Sequence, residues 1–105
     1  NLGQFYNDGL GVAVDYKEAF NWYEKSAQQG NASAQSYLGN SYYFGVGVPE
    51  DYVSSYVWFS MAVKSGNKFA ADAIKFFESE LTKEQLAEGQ ARATKCYKSN
   101  YEDCD

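Results

Sequence analysis

The ten residues YFGVGVPEDY, Tyr43 to Tyr52, place two glycines, two valines and the chain's single proline between aromatic residues. A glycine pair in that setting can cradle a phosphate or reverse the chain, and the two uses need different neighbours. Phosphate loops of the dinucleotide type follow a buried strand, while the Walker type carries Lys and then Ser or Thr directly after its last glycine. Here Gly47 is followed by Val48 and Pro49, and the residues on either side repeat at helical spacing. The stretch therefore reads as a turn. Gly45 and Gly47 supply the backbone angles of the reversal, and Val48 is expected to plug the core.

The same turn occurs twice. Shifting the sequence by thirty-six residues sets Gly9 on Gly45, Gly11 on Gly47, Val12 on Val48, Asp15 on Asp51 and Tyr16 on Tyr52. The match runs outward to Leu2, Gly3 and Tyr6 against Leu38, Gly39 and Tyr42, and to Trp22, Gly30 and Asn31 against Trp58, Gly66 and Asn67. A period of this length marks a stacked repeat architecture.

Each unit reads as two helices. Tyr16, Ala19, Phe20, Tyr23 and Ala27 recur at helical spacing, as do Tyr52, Tyr56, Phe59 and Val63 one repeat later. Asp15 and Asp51 stand at N-cap positions, and Gly30 and Gly66 at left-handed C-terminal caps. The first helix of the second unit, 32–43, carries Ala34, Leu38 and Tyr42 on one stripe with Gly39 inside it. A mid-helix glycine costs about 1 kcal/mol relative to alanine, so its recurrence at Gly3 and Gly39 points to close helix approach. Trp22 and Trp58 fall off the main stripe and are expected to fill the seam toward a neighbouring helix pair.

Length and composition set the bounds. A chain of 105 residues supports one domain with a modest core. Its net charge of -5 repels a phosphate backbone, so nucleic acid is not the expected partner. No apolar run approaches the roughly 20 residues that cross a bilayer, so membrane insertion is not expected either.

The pattern LG..Y..G.GV..DY..A..W......GN followed by A.AQ..LG resembles the Sel-one-like repeat (SLR), a relative of the tetratricopeptide solenoids, over about Leu2 to Asn67. The resemblance implies an all-α, right-handed α/α solenoid of helix-turn-helix repeats. Residues 1–31 form a first repeat without its opening turn, because nothing precedes Asn1 to match Ala32 to Ser36; upstream sequence is therefore expected, with self-association possible through the open N-terminal end. Residues 32–67 form the second repeat. Residues 68–105 hold a partial third, in which Phe69 to Ile74 looks like a first helix but Lys75 replaces the expected glycine. They continue into a capping helix that opens on a Thr82 to Gln85 capping box, with Leu86, Gly89, Ala93 and Tyr97 on its stripe, and then into a cysteine-containing tail.

Cys96 and Cys104 are the only cysteines. They can be free thiols in a reducing cytosol, or a bridge if the last helix ends near Ser99 and the tail folds back at Asn100 to bring the Cα atoms within about 7 Å. The tail resembles those of exported bacterial SLR proteins, which implies a disulfide and a periplasmic or secreted location; a cytoplasmic location is the alternative.

Little here suggests catalysis. The chain has no histidine, which removes the commonest general base and leaves two thiols without further ligands for a metal. SGNK at Ser65 to Lys68 matches S-x-x-K and KSG at Lys64 to Gly66 approximates K-T-G, but the two overlap at one repeat junction, whereas penicillin-recognising enzymes hold them on separate elements. Some disulfide-rich family members have been linked to β-lactam binding, so acylation at Ser65 stands as the enzyme alternative. Glu78, Glu80, Glu84 and Glu88 read as a solvated helix face, and Asn31-Ala32-Ser33 as the repeat's own junction despite matching a glycosylation sequon. No cofactor is expected.

What remains is surface. In such solenoids the first helix of each pair lines the concave side, and positions that vary between matched repeats are free to be specific. Those are Gln4 against Asn40, Asn7 against Tyr43, and Asp8 against Phe44; Gln4, Asn7, Asn40, Tyr43 and Phe44 are the expected partner-binding residues. The resemblance implies a non-enzymatic adaptor or scaffold that binds a protein partner. An immunity protein that neutralises a cognate secreted toxin is the alternative.

Overall fold

The structure, a computed structural model, describes residues 15–104. Gln4, Asn7, Gly9 and Gly11 lie outside them. Five helices run in order: α1 Tyr16–Gln28, α2 Ala32–Phe44, α3 Tyr52–Lys64, α4 Ala70–Glu80 and α5 Lys83–Lys98. All regular structure among the described residues is helical, in the consecutive helix pairs of an all-α solenoid.

The boundaries follow from local chemistry. Asp15 Oδ1 accepts from Glu18 N at 2.9 Å, and Asp51 Oδ1 accepts from Val53 N and Ser54 N at 3.1 Å each. Such caps contribute about 1 kcal/mol apiece. At the other end of α1, Gly30 N donates to Ala27 O and Asn31 N to Ser26 O, with Gly30 at φ 90°. At the end of α3, Gly66 N donates to Val63 O and Asn67 N to Ala62 O, with Gly66 at φ 100°. Both are Schellman motifs. Asn31 then turns round and caps α2 through Ala34 N at 2.9 Å. The recurring Gly-Asn pair thus closes one helix and opens the next. Asn67 uses its Oδ1 on Phe69 N and Ala70 N and sends its Nδ2 to Ser36 Oγ at 2.8 Å, tying the third unit to the second.

Gly45 and Gly47 take φ of 69° and 80° as the chain leaves α2, and half-buried Val48 packs against the core. Gly39 is buried where α2 meets α3. A Cβ there would lie 2.7 Å from the Phe59 ring, so the glycine lets that ring rest on the α2 backbone. Beside it, Ser55 Oγ donates to Gly39 O at 2.6 Å. Gly89 plays the same part between α5 and Tyr56 of α3.

α3 is the hub. It is buried from Val53 to Phe59 and again at Met61 and Ala62, far beyond the single stripe read from the sequence, whose end members Tyr52 and Val63 are exposed. One side of it joins Phe20, Leu38, Ala93 and Cys96 in a core shared with α1, α2 and α5; the other side joins Phe77 and Leu81 around α4. A helix apolar on nearly all faces is one enclosed by its neighbours.

Two further residues differ from expectation. Trp58 is 3% exposed, but Trp22 is 57% exposed, with the Lys25 ammonium 5.6 Å from its ring. The letter repeats while the surroundings do not, and burial follows the surroundings. On α5 the inward stripe is Gly89, Ala93 and Cys96, and Tyr97 is 51% exposed under the Lys64 ammonium. A helix turns 3.6 residues at a time, so after Ala93 the next inward place falls three residues on, not four.

The chain reverses after α5. Asn100 and Tyr101 take φ of 58° and 69°, Tyr101 N donates to Cys96 O at 2.8 Å, and Cys96 is bonded to Cys104 with the Cα atoms 4.2 Å apart. A left-handed tyrosine costs about 1–2 kcal/mol, so the reversal needs holding. The disulfide, the Lys95–Asp103 ion pair at 3.1 Å and the Arg92 Nη2 bonds to Ser54 Oγ and Cys104 O do that. Closing so short a loop contributes about 2–3 kcal/mol. Reduction should therefore lower the thermal midpoint by roughly 10–20 °C for a domain of this size. Unfolding curves with and without reductant that coincide would show that the tail adds nothing to stability.

Candidate interaction groove

The sequence places Asn40, Tyr43 and Phe44 on the last turns of α2, and the structure gathers all three on one wall of a groove. The hollow holds about 270 Å³. Phe59 of α3 forms its base, and Ala73, Phe76 and Phe77 of α4 form the opposite wall. Phe44 projects from the rim, 66% exposed. The groove lies between the first helices of successive units.

Tyr43 organises the site. Its ring stacks on Tyr52 at 5.3 Å and meets Phe44 at 4.9 Å, Phe76 at 5.9 Å and Phe77 at 5.8 Å edge to face. Those are favourable aromatic geometries, each adding about 0.5–1.5 kcal/mol beyond area burial. Past Tyr43 a second hollow of about 480 Å³ continues the groove, walled by Tyr52, Phe76 and Leu81, with Glu80 and Gln85 supplying polar groups. Reading repeats from sequence missed Phe76, Phe77, Tyr52 and Glu80. The adjacent Phe76-Phe77 pair was the available signal, but it has no aromatic counterpart one repeat earlier at Asn40 and Ser41.

Apart from Glu80, which lines the second hollow, the other candidates sit away from this groove. Ser65 is the C-cap residue of α3, its Oγ 3.4 Å from the Tyr101 hydroxyl, and Lys68 lies in the following turn. Glu78, Glu80, Glu84 and Glu88 are exposed, and among the described residues no three His, Cys, Asp or Glu gather as a metal site. Gln35, fully buried, ties α2 to the end of α1 by donating from Nε2 to Ala27 O at 3.0 Å. On the α1–α2 side, Tyr23 and Tyr37 stack at 3.9 Å, and burial, ahead of lesser effects, pushes the Tyr37 phenol up. No described helix is long and apolar enough to cross a membrane.

Paired helices stacked through a shared hub define an α-solenoid, an architecture whose extended surfaces commonly serve for binding. The Sel1 repeat matches the chain twice, over residues 1–31 and 32–67, and the chain belongs to the Sel1 repeat family. It is also similar to a solved SLR-fold structure, that of c5321, a protective antigen present in uropathogenic Escherichia coli strains. The identity is 35% and the TM-score 0.85; the match covers 96% of this chain and 22% of that one, so the chain spans about a fifth of that protein's length. No curated protein matches the chain. Sel1 repeats generally mediate contacts between proteins and typically lack catalysis of their own.

Proposed function

We propose that the chain is a non-enzymatic protein-binding module that seats a segment of its partner in the groove between α2 and α4, using Asn40, Tyr43 and Phe44. The observation that carries this reading is the groove itself: an open apolar hollow continuous with an aromatic cluster whose outermost ring, Phe44, is left to solvent. Contiguous exposed apolar surface marks an interaction site, and aromatic rings give large contact area at low entropic cost. The Cys96–Cys104 pair supports work outside the cytoplasm, where such bonds persist.

A photo-crosslinking residue at position 40, introduced in the native host, tests the reading. The expected result is a discrete adduct that Phe44→Ala weakens by about ten-fold or more, as loss of an exposed aromatic anchor that the partner covers does. Adducts indifferent to Phe44→Ala, or none, would remove the groove from consideration. A single tight one-to-one adduct would favour an immunity role, and several weaker ones an adaptor.

A further inference from the structure

The two hollows joined at Tyr43 differ in charge. Asn40 supplies a polar group to the first without charging it, whereas the second is lined by Glu80, and among the described residues no lysine or arginine lines either hollow. Glu50 adds to the negative side: its charge, ahead of burial, holds the Tyr52 phenol above its usual range. Aromatic faces with a carboxylate at their edge and no competing cation form a receptor for a positive group.

We propose that the second hollow receives an arginine side chain of the protein partner, with the guanidinium over the rings of Tyr43, Tyr52 or Phe76 and paired with Glu80. This rests on the groove reading above and adds the partner's chemistry to it. Arginine fits better than its rivals. Its planar guanidinium is weakly hydrated, stacks on aromatic faces and forks onto a carboxylate, whereas a lysine ammonium is a compact and strongly hydrated charge. A leucine in the same place would strip water from Glu80 and give nothing in return. An acidic group would meet Glu80, Glu50 and a chain of net charge -5. The volume, about 480 Å³, leaves room for the side chain and its bridging waters.

The experiment titrates the isotopically labelled 105-residue chain with three blocked tripeptides that carry arginine, citrulline or leucine between glycines. Citrulline keeps arginine's shape and removes its charge. The arginine peptide should shift the amide resonances around Tyr43, Phe76 and Glu80 and bind roughly three-fold or more tighter than the citrulline peptide. Glu80→Gln, an exposed and conservative change, should abolish most of that difference without altering the spectrum elsewhere. The inference falls if citrulline or leucine binds as well as arginine, if Glu80→Gln leaves the preference intact, or if no peptide shifts these resonances. Cross-linking from position 40 separates the two claims. Adducts that persist when the arginine preference is absent sink only the arginine, and the absence of adducts sinks the groove as well.

Discussion

Gly47→Ala should destabilise the protein by about 3 kcal/mol, and Gly66→Ala by only about 1–2 kcal/mol, although both glycines have left-handed backbones. The shared part is conformational: at φ of 80° and 100° a side chain costs about 1–2 kcal/mol. The difference is what a Cβ meets. Among the described residues nothing lies within 4 Å of a Cβ at Gly66, but at Gly47 the Tyr16 carbonyl oxygen is 2.5 Å away and its carbon 2.8 Å. Those are backbone atoms at the start of α1, which cannot swing aside as a side chain can, and forcing them apart costs about 1–3 kcal/mol more. Denaturant unfolding of the two variants decides the matter. Equal losses would mean that the turn does not press on α1.

Phe77→Ala should remove about 3–5 kcal/mol, the usual cost of deleting a buried phenylalanine. Phe77 is 2% exposed and sits among the rings of Tyr43, Tyr56, Phe59 and Phe76 at 5.6–6.3 Å. Since whole domains are stable by only about 5–15 kcal/mol, the variant should approach global unfolding. Its neighbour makes the contrast. Phe76 is partly exposed on the groove wall, so Phe76→Ala should keep most of the stability while losing partner affinity. If Phe76→Ala proved the more destabilising of the two, the assignment of Phe77 to the core and of Phe76 to the exposed part of the wall would be wrong.

How far the sequence could be read depended on how far each signal reaches along the chain. Asp15, Asp51, Thr82 and the Gly-Asn junctions act on residues within one helical turn, and each does in the structure what its letter and position imply. Gly39 was readable as a point of close approach, though not which ring approaches; that needed the crossing of α2 over α3 at Phe59. Trp22 and Tyr97 show the limit. Each stands at a position where the repeat or the helical stripe predicts burial, yet each is exposed, because accessibility belongs to the neighbouring element and not to the residue. The groove shows the same limit at larger scale. Comparing repeats picks out Asn40, Tyr43 and Phe44 on α2, but the facing wall on α4 departs from the repeat, so a method that reads repetition could not see it. The second hollow arises only where Glu80, at the end of α4, comes beside Tyr43 and Tyr52.

In a one-dimensional stack each unit touches only the next, and the array can fray from its ends while the middle persists. The reversed tail changes that. A Cβ on Gly30 would lie 3.7 Å from the Tyr101 ring, so the residue just after α5 rests on the junction between α1 and α2, and Arg92 joins the same tail to Ser54 at the start of α3. The last segment of the described chain is thereby a neighbour of the first. Opening at one end should therefore loosen contacts at the other, and the five helices are expected to unfold as a single cooperative unit instead of a row of separable ones.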